Sequence, residues 1–381
     1  MASAAQNPGL RIGSLRGAPV FIGRSWPVIA IIIIFTFGPQ VTTLRPDLGA
    51  GGYLVAAAFA ILLLLSVLVH EAAHALVAQA RGMEVHQVVA DAWGGHTSFD
   101  QDDTSPATGA LVAVVGPLAN GVLAVLGWLV LQMQGDGSAV TRFDPISVPT
   151  LLLSAFVWAN GFVAIFNLLP GLPLDGGYLV SSLVWAVTGS RSRGSVVAGW
   201  CGRIVAVLAV AWAIGLPLLH GQQPSMITTV WAIMIGGFLW FGAGAAINRG
   251  QAEQVLGKVQ VGQLLRPVFI AAGPTPLSNL PQNADIAVTA ADGTPWGVVP
   301  AEIAAQVRAG QPGLAVESAA LRQPQPWVAQ VDDPQADVSQ LVRVYQATGG
   351  AAGYLLVANG SGQVLGIVRT EDLRVALNAV A

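Results

Sequence analysis

Two histidines four residues apart bracket a glutamate in the stretch Leu68-Val69-His70-Glu71-Ala72-Ala73-His74. Four residues along a helix return to nearly the same face, so both imidazoles can hold one Zn2+. Glu71, next to the first histidine, can then reach a water at the metal as general base. A zinc held by two histidines needs a third protein ligand, with a fourth position left for water. Asp175 is the best candidate, because it is an acid at the broken end of an apolar stretch, where a stray carboxylate is costly. His86 and His96 compete for the role. His86 reads as a solvated loop residue beyond the motif helix, and His96 as part of a glycine-rich hairpin close enough for support. His220 falls on the far side and is set aside.

The segments that must position these groups are apolar. Leu48 to Val69 is 22 residues without a charge, enough to cross a bilayer, and the histidine motif closes that run. Uncharged stretches also run from Ser25 to Leu44, Thr104 to Gly135 and Pro145 to Leu174. A further stretch, Ile204 to Asn248, is split by Gly221-Gln222-Gln223-Pro224 and long enough for two spans, six in all. The fourth run ends in Asn167-Leu168-Leu169-Pro170-Gly171-Leu172-Pro173-Leu174-Asp175-Gly176-Gly177. Its prolines and glycines break the helix, and irregular backbone at membrane depth survives only where protein or a cavity satisfies it. Val85 to Ala90 has strand character, and Trp93 to Phe99 reads as a hairpin around glycines. Asp100, Asp102 and Asp103 then return the chain to water.

Of 381 residues, 54% are hydrophobic and only 10% charged, against about 25% charged in soluble domains. The class is a polytopic membrane protein. The net charge of −3 carries no nucleic-acid signature. A single cysteine, Cys201, excludes a disulfide within the chain. No cleavable signal peptide is expected, since the first apolar run starts after 24 residues and lacks a clear A-x-A site. Arg11, Arg16 and Arg24 without an acid place residues 1–24 in the cytoplasm, and Arg191, Arg193 and Arg203 mark a second cytoplasmic segment. Arg249, Lys258 and Arg266 put the C-terminal part on the same side.

From about residue 255 the composition becomes that of a soluble α/β domain with an internal repeat. Gly293-Thr294-Pro295-Trp296-Gly297 followed by Glu302 matches Gly362-Gln363-Val364-Leu365-Gly366 followed by Glu371, at a constant offset of 69 residues.

At this point the chain resembles a known family, the site-2 proteases, which are intramembrane zinc metalloproteases. His70 to His74 matches their H-E-x-x-H, and Asn167 to Gly177 is similar to their N-x-x-P…L-D-G segment, in the spacing of the six-span branch that includes the sporulation-factor protease. Gly116-Pro117-Leu118-Ala119-Asn120 resembles the G-P-x-x-N element, and the Gly94-Gly95 region the membrane hairpin. The resemblance implies one Zn2+ per chain on His70, His74 and Asp175, Glu71 as catalytic base, and a transmembrane helix of a membrane protein as substrate. It also places Asn120 and Asn167 near the site, where hydrogen bonding to oxyanion or substrate and simple helix packing both fit. Gly95 would lie at a strand edge that could hold an unwound substrate segment.

The C-terminal repeat is similar to a pair of CBS domains. Gly366-Ile367-Val368-Arg369-Thr370-Glu371-Asp372 resembles the G-[IV]-V-[ST]-x-x-D signature, which implies an adenine nucleotide at Asp372 and a homodimer through this domain. Arg369 stands where a hydroxyl is expected, and Ile303 replaces the acid in the first repeat, so packing or dimerisation alone also fits.

The expected architecture is therefore a polytopic α-helical membrane protein of about six transmembrane helices with a membrane-associated β-hairpin, followed by an α/β CBS-like domain. Residues 1–24 form a cytoplasmic segment, 25–250 the intramembrane metalloprotease domain, and 251–381 a cytoplasmic regulatory domain. The expected location is the cell membrane, multi-pass, with both termini cytoplasmic. Rival readings are a CBS-regulated transporter or channel, built on broken helices, and a non-catalytic membrane scaffold. The transporter reading wants two symmetric breaks, and only the one after Asn167 is clear.

Overall fold

The computed structural model describes residues 9–91, 94–99, 104–133 and 147–380. Trp93, Asp100, Asp102, Asp103, the span ends expected at Gly135 and Pro145, and residues 1–8 lie outside that range. Two compact units divide at Gly250/Gln251.

Among the described residues, six helices are long and apolar enough to cross a membrane. They are α1 (Trp26–Leu44), α2 (Gly51–Ala80), α3 (Pro106–Met133), α4 (Val148–Asn167), α6 (Arg191–Leu219) and α7 (Met226–Leu256). A shorter helix, α5 (Asp175–Thr188), follows α4. The helix of the fourth span stops at Asn167, where the break was expected, because Pro170 and Pro173 can neither donate to a helix nor fit one. The chain instead crosses in a bend and restarts at Asp175.

Buried positions of the bundle carry small side chains, among them Ala56, Ala60, Ala75, Ala113, Ala164, Ala198 and Ala243. Leu54, Ile61, Leu65, Phe162, Ile165 and Phe241 point outward. In lipid the outward apolar groups lose nothing, while small residues let helices approach and pack. Arg203, read from the sequence together with Arg191 and Arg193, lies in a helix with them. It sits well inside α6, its guanidinium over the Trp200 and Trp240 rings at 4.8 and 4.9 Å. A planar, weakly hydrated guanidinium stacks on aromatic faces, which lets it enter an apolar helix.

The polar N-terminal segment is ordered in a way its composition did not disclose. Gly9–Leu15 (β1) and Ala18–Gly23 (β2) form a hairpin, and β2 pairs in parallel with β3 (Val85–Asp91). Strand β3 then pairs antiparallel with β4 (Gly94–Phe99), giving the order β1-β2-β3-β4. The glycine segment is thus one strand of a wider hairpin. His86 lies in β3, not in a loop, and is exposed. The sheet rests on α2 through a cluster of Ala18, Ala75, Ala78, Val85 and Val88.

The second unit holds two sheets. The first is β5 (Val268–Ala272), β6 (Asp285–Thr289), β7 (Pro295–Val299) and β8 (Leu321–Arg322); the second is β9 (Val328–Gln330), β10 (Tyr354–Ala358) and β11 (Val364–Arg369), in the order β11-β10-β9. Helices α8 (Ala301–Gly310), α9 (Ser339–Ala347) and α10 (Thr370–Val380) complete it. The 69-residue offset read from the motifs holds for whole elements: β6 and β10, β7 and β11, and α8 and α10 each start that far apart. Gly293 and Gly362 turn the two hairpins with φ of +83° and +82°, a region that favours glycine. The repeats are unequal before these hairpins. Where the second has α9, the first has only a single 3-10 turn at Leu277–Asn279. This is the α/β unit expected from the C-terminal repeat, its two halves sharing a core of Ala287, Val298, Trp327, Leu356 and Ile367.

Candidate metal centre

The helix α2 carries His70, Glu71 and His74, all buried, because a 3.6-residue period brings both histidines to the side facing α3 and α5. The two imidazoles meet with Nε2 atoms 3.0 Å apart. Asp175 opens α5, and its Oδ2 lies 3.1 Å from His70 Nε2 and 3.6 Å from His74 Nε2. The bend before it is held by backbone bonds, Leu172 N–H donating to Ala198 O at 3.0 Å and Leu174 N–H to Gly171 O at 3.0 Å. Glycine is required just after Asp175. A Cβ on Gly176 would sit 2.3 Å from Leu169 O, and one on Gly177 2.2 Å from Leu172 N. The Gly-Gly pair thus lets the first turn of α5 close over the bend and present Asp175 to the histidines.

Ligands at about 2.0–2.1 Å from a tetrahedral zinc stand about 3.3 Å apart, and the three separations here bracket that value. The donor chemistry also fits. His74 Nδ1 faces the Val112 carbonyl at 2.6 Å, and a carbonyl only accepts, so the proton is on Nδ1 and Nε2 offers a lone pair. Lone pairs of Nε2 atoms beside a carboxylate oxygen repel unless a cation or a proton lies among them. Space is kept on the α3 side by Gly116, where a Cβ would come within 2.2 Å of His74 Nε2 and 2.6 Å of His70 Nε2.

The ligand atoms of His70, Glu71 and His74 also fall within 4.8 Å of one another. The Glu71 carboxylate is, however, turned to β4, where the Thr97 hydroxyl donates to Oε2 at 2.9 Å. Asp175 is therefore the better third ligand on geometry. Gly95 lies against the same glutamate, and a Cβ there would be 2.1 Å from Glu71 Cγ.

Asn120 sits beside the site with its Oδ1 on His70 Nδ1 at 2.5 Å and its Nδ2 donating to Asn160 Oδ1 at 2.8 Å. Its amide faces the ring and a neighbouring helix. Asn167 is half-buried at the end of α4, and no described hydrogen bond joins it to the histidines, Glu71 or Asp175. The backbone of His96, in β4, pairs with Val89 of β3. His220 caps the C-terminal end of α6, its Nδ1 on Leu216 O. Asp372 stands in the other unit, where Arg266 donates to its Oδ2 from Nε at 3.0 Å and Nη2 at 2.8 Å.

Three residues in direct or relayed contact with the motif escaped the sequence reading: Thr97, Ser66 and Asn160. Ser66 was findable, since Ser66, His70 and His74 form one i, i+4, i+8 stripe on α2. Asn160 is an uncharged amide in the interior of an apolar span; scanning for charge passes over it. Leaving such a buried group unpaired costs about 1–3 kcal/mol, so its presence alone predicts a polar partner.

Residues 58–212 match peptidase family M50. A provisionally named zinc metalloprotease of Synechocystis sp., sll0528, is 32% identical over 249 residues, 65% of this chain and 62% of that protein. Another, Rip3 of Mycobacterium tuberculosis, is 31% identical over 256 residues, 65% of this chain and 61% of its own length. The chain thus spans about three fifths of the curated relatives it matches. Among solved structures, the site-2 protease of Methanocaldococcus jannaschii aligns with a TM-score of 0.42 and 19% identity, over 62% of this chain and 94% of that one. The CBS domain of a bacterial CNNM/CorC family Mg2+ transporter aligns with a TM-score of 0.24 and 16% identity, over 33% of this chain and 79% of its own.

Proposed function

Residues 58–212 match peptidase family M50, and we propose that this chain is an intramembrane zinc endopeptidase that cuts a transmembrane helix of another membrane protein. The observation that carries the reading is the convergence of His70 Nε2, His74 Nε2 and Asp175 Oδ2 within 3.0–3.6 Å inside an apolar bundle, with Glu71 one residue away.

His70, His74 and Asp175 would hold the metal. Bound zinc supplies Lewis acidity, polarising a carbonyl and lowering the pKa of a water toward about 7. Glu71 accepts the proton from the attacking water and passes it to the leaving amide nitrogen, so that the C–N bond breaks with water split across it. Thr97 holds the Glu71 carboxylate by its Oε2. Helical amides are shielded, so the substrate must be extended to react. Strand β4 ends the sheet, and its free edge beside Gly95 and Glu71 suits an added strand.

The test uses the full chain in bilayers with a single-span membrane protein whose cytoplasmic end carries a reporter. Zinc-loaded protein should release the reporter, chelation should stop release, and added zinc should restore it. Release that persists unchanged after the metal has been removed would refute a zinc mechanism. The expected cytoplasmic exit follows from the motif's place near the inner end of its span, and a fragment shed only to the outer side would reverse the assigned orientation.

The second unit we read as a packing or dimerisation module. Asp372 is engaged by Arg266, while Arg369 donates to both Glu302 carboxylate oxygens at 2.8 and 3.0 Å and holds that acid below the usual carboxylate range. Calorimetry on the full chain should show no saturable heat with ATP, AMP or S-adenosylmethionine. Binding that disappears in Asp372→Asn would restore the nucleotide role.

A further inference from the structure

A one-way chain of hydrogen bonds runs from the backbone of two helices to the outer nitrogen of His70. Ser66 Oγ donates to Leu62 O at 3.0 Å, one turn back on α2. Asn160 Nδ2 donates to Ser66 Oγ at 3.1 Å and to Phe156 O, on its own helix α4, at 2.9 Å. Asn160 Oδ1 accepts from Asn120 Nδ2 at 2.8 Å, and Asn120 Oδ1 faces His70 Nδ1 at 2.5 Å. Ser66, Asn120 and Asn160 are all at most 3% exposed.

The direction of this chain is not a free choice. Leu62 O and Phe156 O are carbonyls and can only accept. The Asn160 amide must therefore turn its NH2 toward Phe156 and Ser66, which leaves its oxygen for Asn120. Asn120 must in turn offer NH2 to Asn160 and its oxygen to His70. An amide oxygen takes a proton and gives none, so the His70 proton is held on Nδ1 and the Nε2 lone pair points at Asp175 and His74. His74 reaches the same tautomer directly, through the Val112 carbonyl at 2.6 Å. A reversed Asn160 amide would set its oxygen against the Phe156 oxygen and its NH2 against the Asn120 NH2, two repulsions between buried groups.

We infer that Asn160, backed by Ser66, is a positioning residue that sets the tautomer of His70 through Asn120, and so readies Nε2 for zinc before the metal arrives. The inference rests on the reading of His70 as a zinc ligand, and partners one step beyond the ligands commonly set ring orientation and basicity. It also gives α4, which supplies no ligand of its own, a part in the site.

The experiment compares wild type with Asn160→Leu, which has the same branching, is somewhat larger and cannot hydrogen-bond. Should that variant fail to fold, Asn160→Met fills the same space more flexibly. Histidine 15N NMR on the metal-free full chain reads the tautomer of each ring, and zinc affinity is read by chelator competition. In wild type both His70 and His74 should carry the proton on Nδ1. In the variant His70 should become a mixture of tautomers, while His74, tied to a backbone carbonyl, stays as it was. Zinc affinity should fall about 10–100-fold, the usual loss for partners outside the ligand set. General loosening of the bundle would move both rings alike and overturns the assignment, as does a His70 ring that keeps its tautomer with unchanged zinc affinity. A wild-type chain that binds no zinc would instead refute the metal reading, and the tautomer result would still judge the relay.

Discussion

Replacing Glu71 with Gln is expected to stop cleavage and leave the zinc in place. Gln has nearly the shape of Glu and can still accept from the Thr97 hydroxyl, which meets the Glu71 carboxylate at 2.9 Å. The two histidines and Asp175 lie on other atoms, at 3.0–3.6 Å from one another, and their geometry does not depend on the Glu71 charge. What the amide cannot do is take a proton at neutral pH. General-base catalysis is typically worth about 10²–10⁴-fold, so turnover of a membrane substrate should drop by at least two orders of magnitude. Zinc content by elemental analysis should match wild type. A zinc-loaded Glu71→Gln protein that still cuts at near-normal rate would remove Glu71 from the chemistry and reopen the transporter and scaffold readings, which need zinc only as a brace.

Asp175→Asn separates metal binding from catalysis in the opposite way. The substitution keeps the volume and one oxygen at the head of α5, so the bend from Leu168 to Leu174, held by its own backbone bonds, should survive. It removes the one anion facing the two histidine lone pairs. Second-layer partners cost about 10–100-fold in metal affinity, and a ligand itself should cost more, so zinc should be lost on dialysis that leaves wild type loaded. Folding is checked by the thermal unfolding of the metal-free proteins, which should be similar. Full zinc stoichiometry in Asp175→Asn would move the third ligand elsewhere, with His96 the next residue to replace. Taken with Glu71→Gln, the pair yields one variant with metal and no turnover and one with neither.

Much of the metal centre could be read from residue order because its parts are local or carry their own cost. His70 and His74 need only a helix to share a face, and the uncharged run up to Val69 supplies one. Asp175 was identifiable because a carboxylate at the end of an apolar run must be paid for by a partner. The 69-residue repeat was equally visible, since both copies need glycine at the same turn.

Other features depend on segments far apart in the chain meeting. The parallel pairing of β2 with β3 joins residues 20–22 to residues 88–90, and nothing in either short apolar stretch names the other. The stretch from Trp93 to Phe99 reads as a hairpin by itself, whereas Gly94–Phe99 is one strand paired with β3, because strand alternation marks the strand and not its partner. The tautomer of His70 was out of reach altogether. It depends on the side chains of Asn120, Asn160 and Ser66 from three helices and on two carbonyls that every residue possesses, so composition and spacing leave no trace of it. Residue types determined which atoms could bind a metal; packing of α2, α3 and α4 decided which way their protons face.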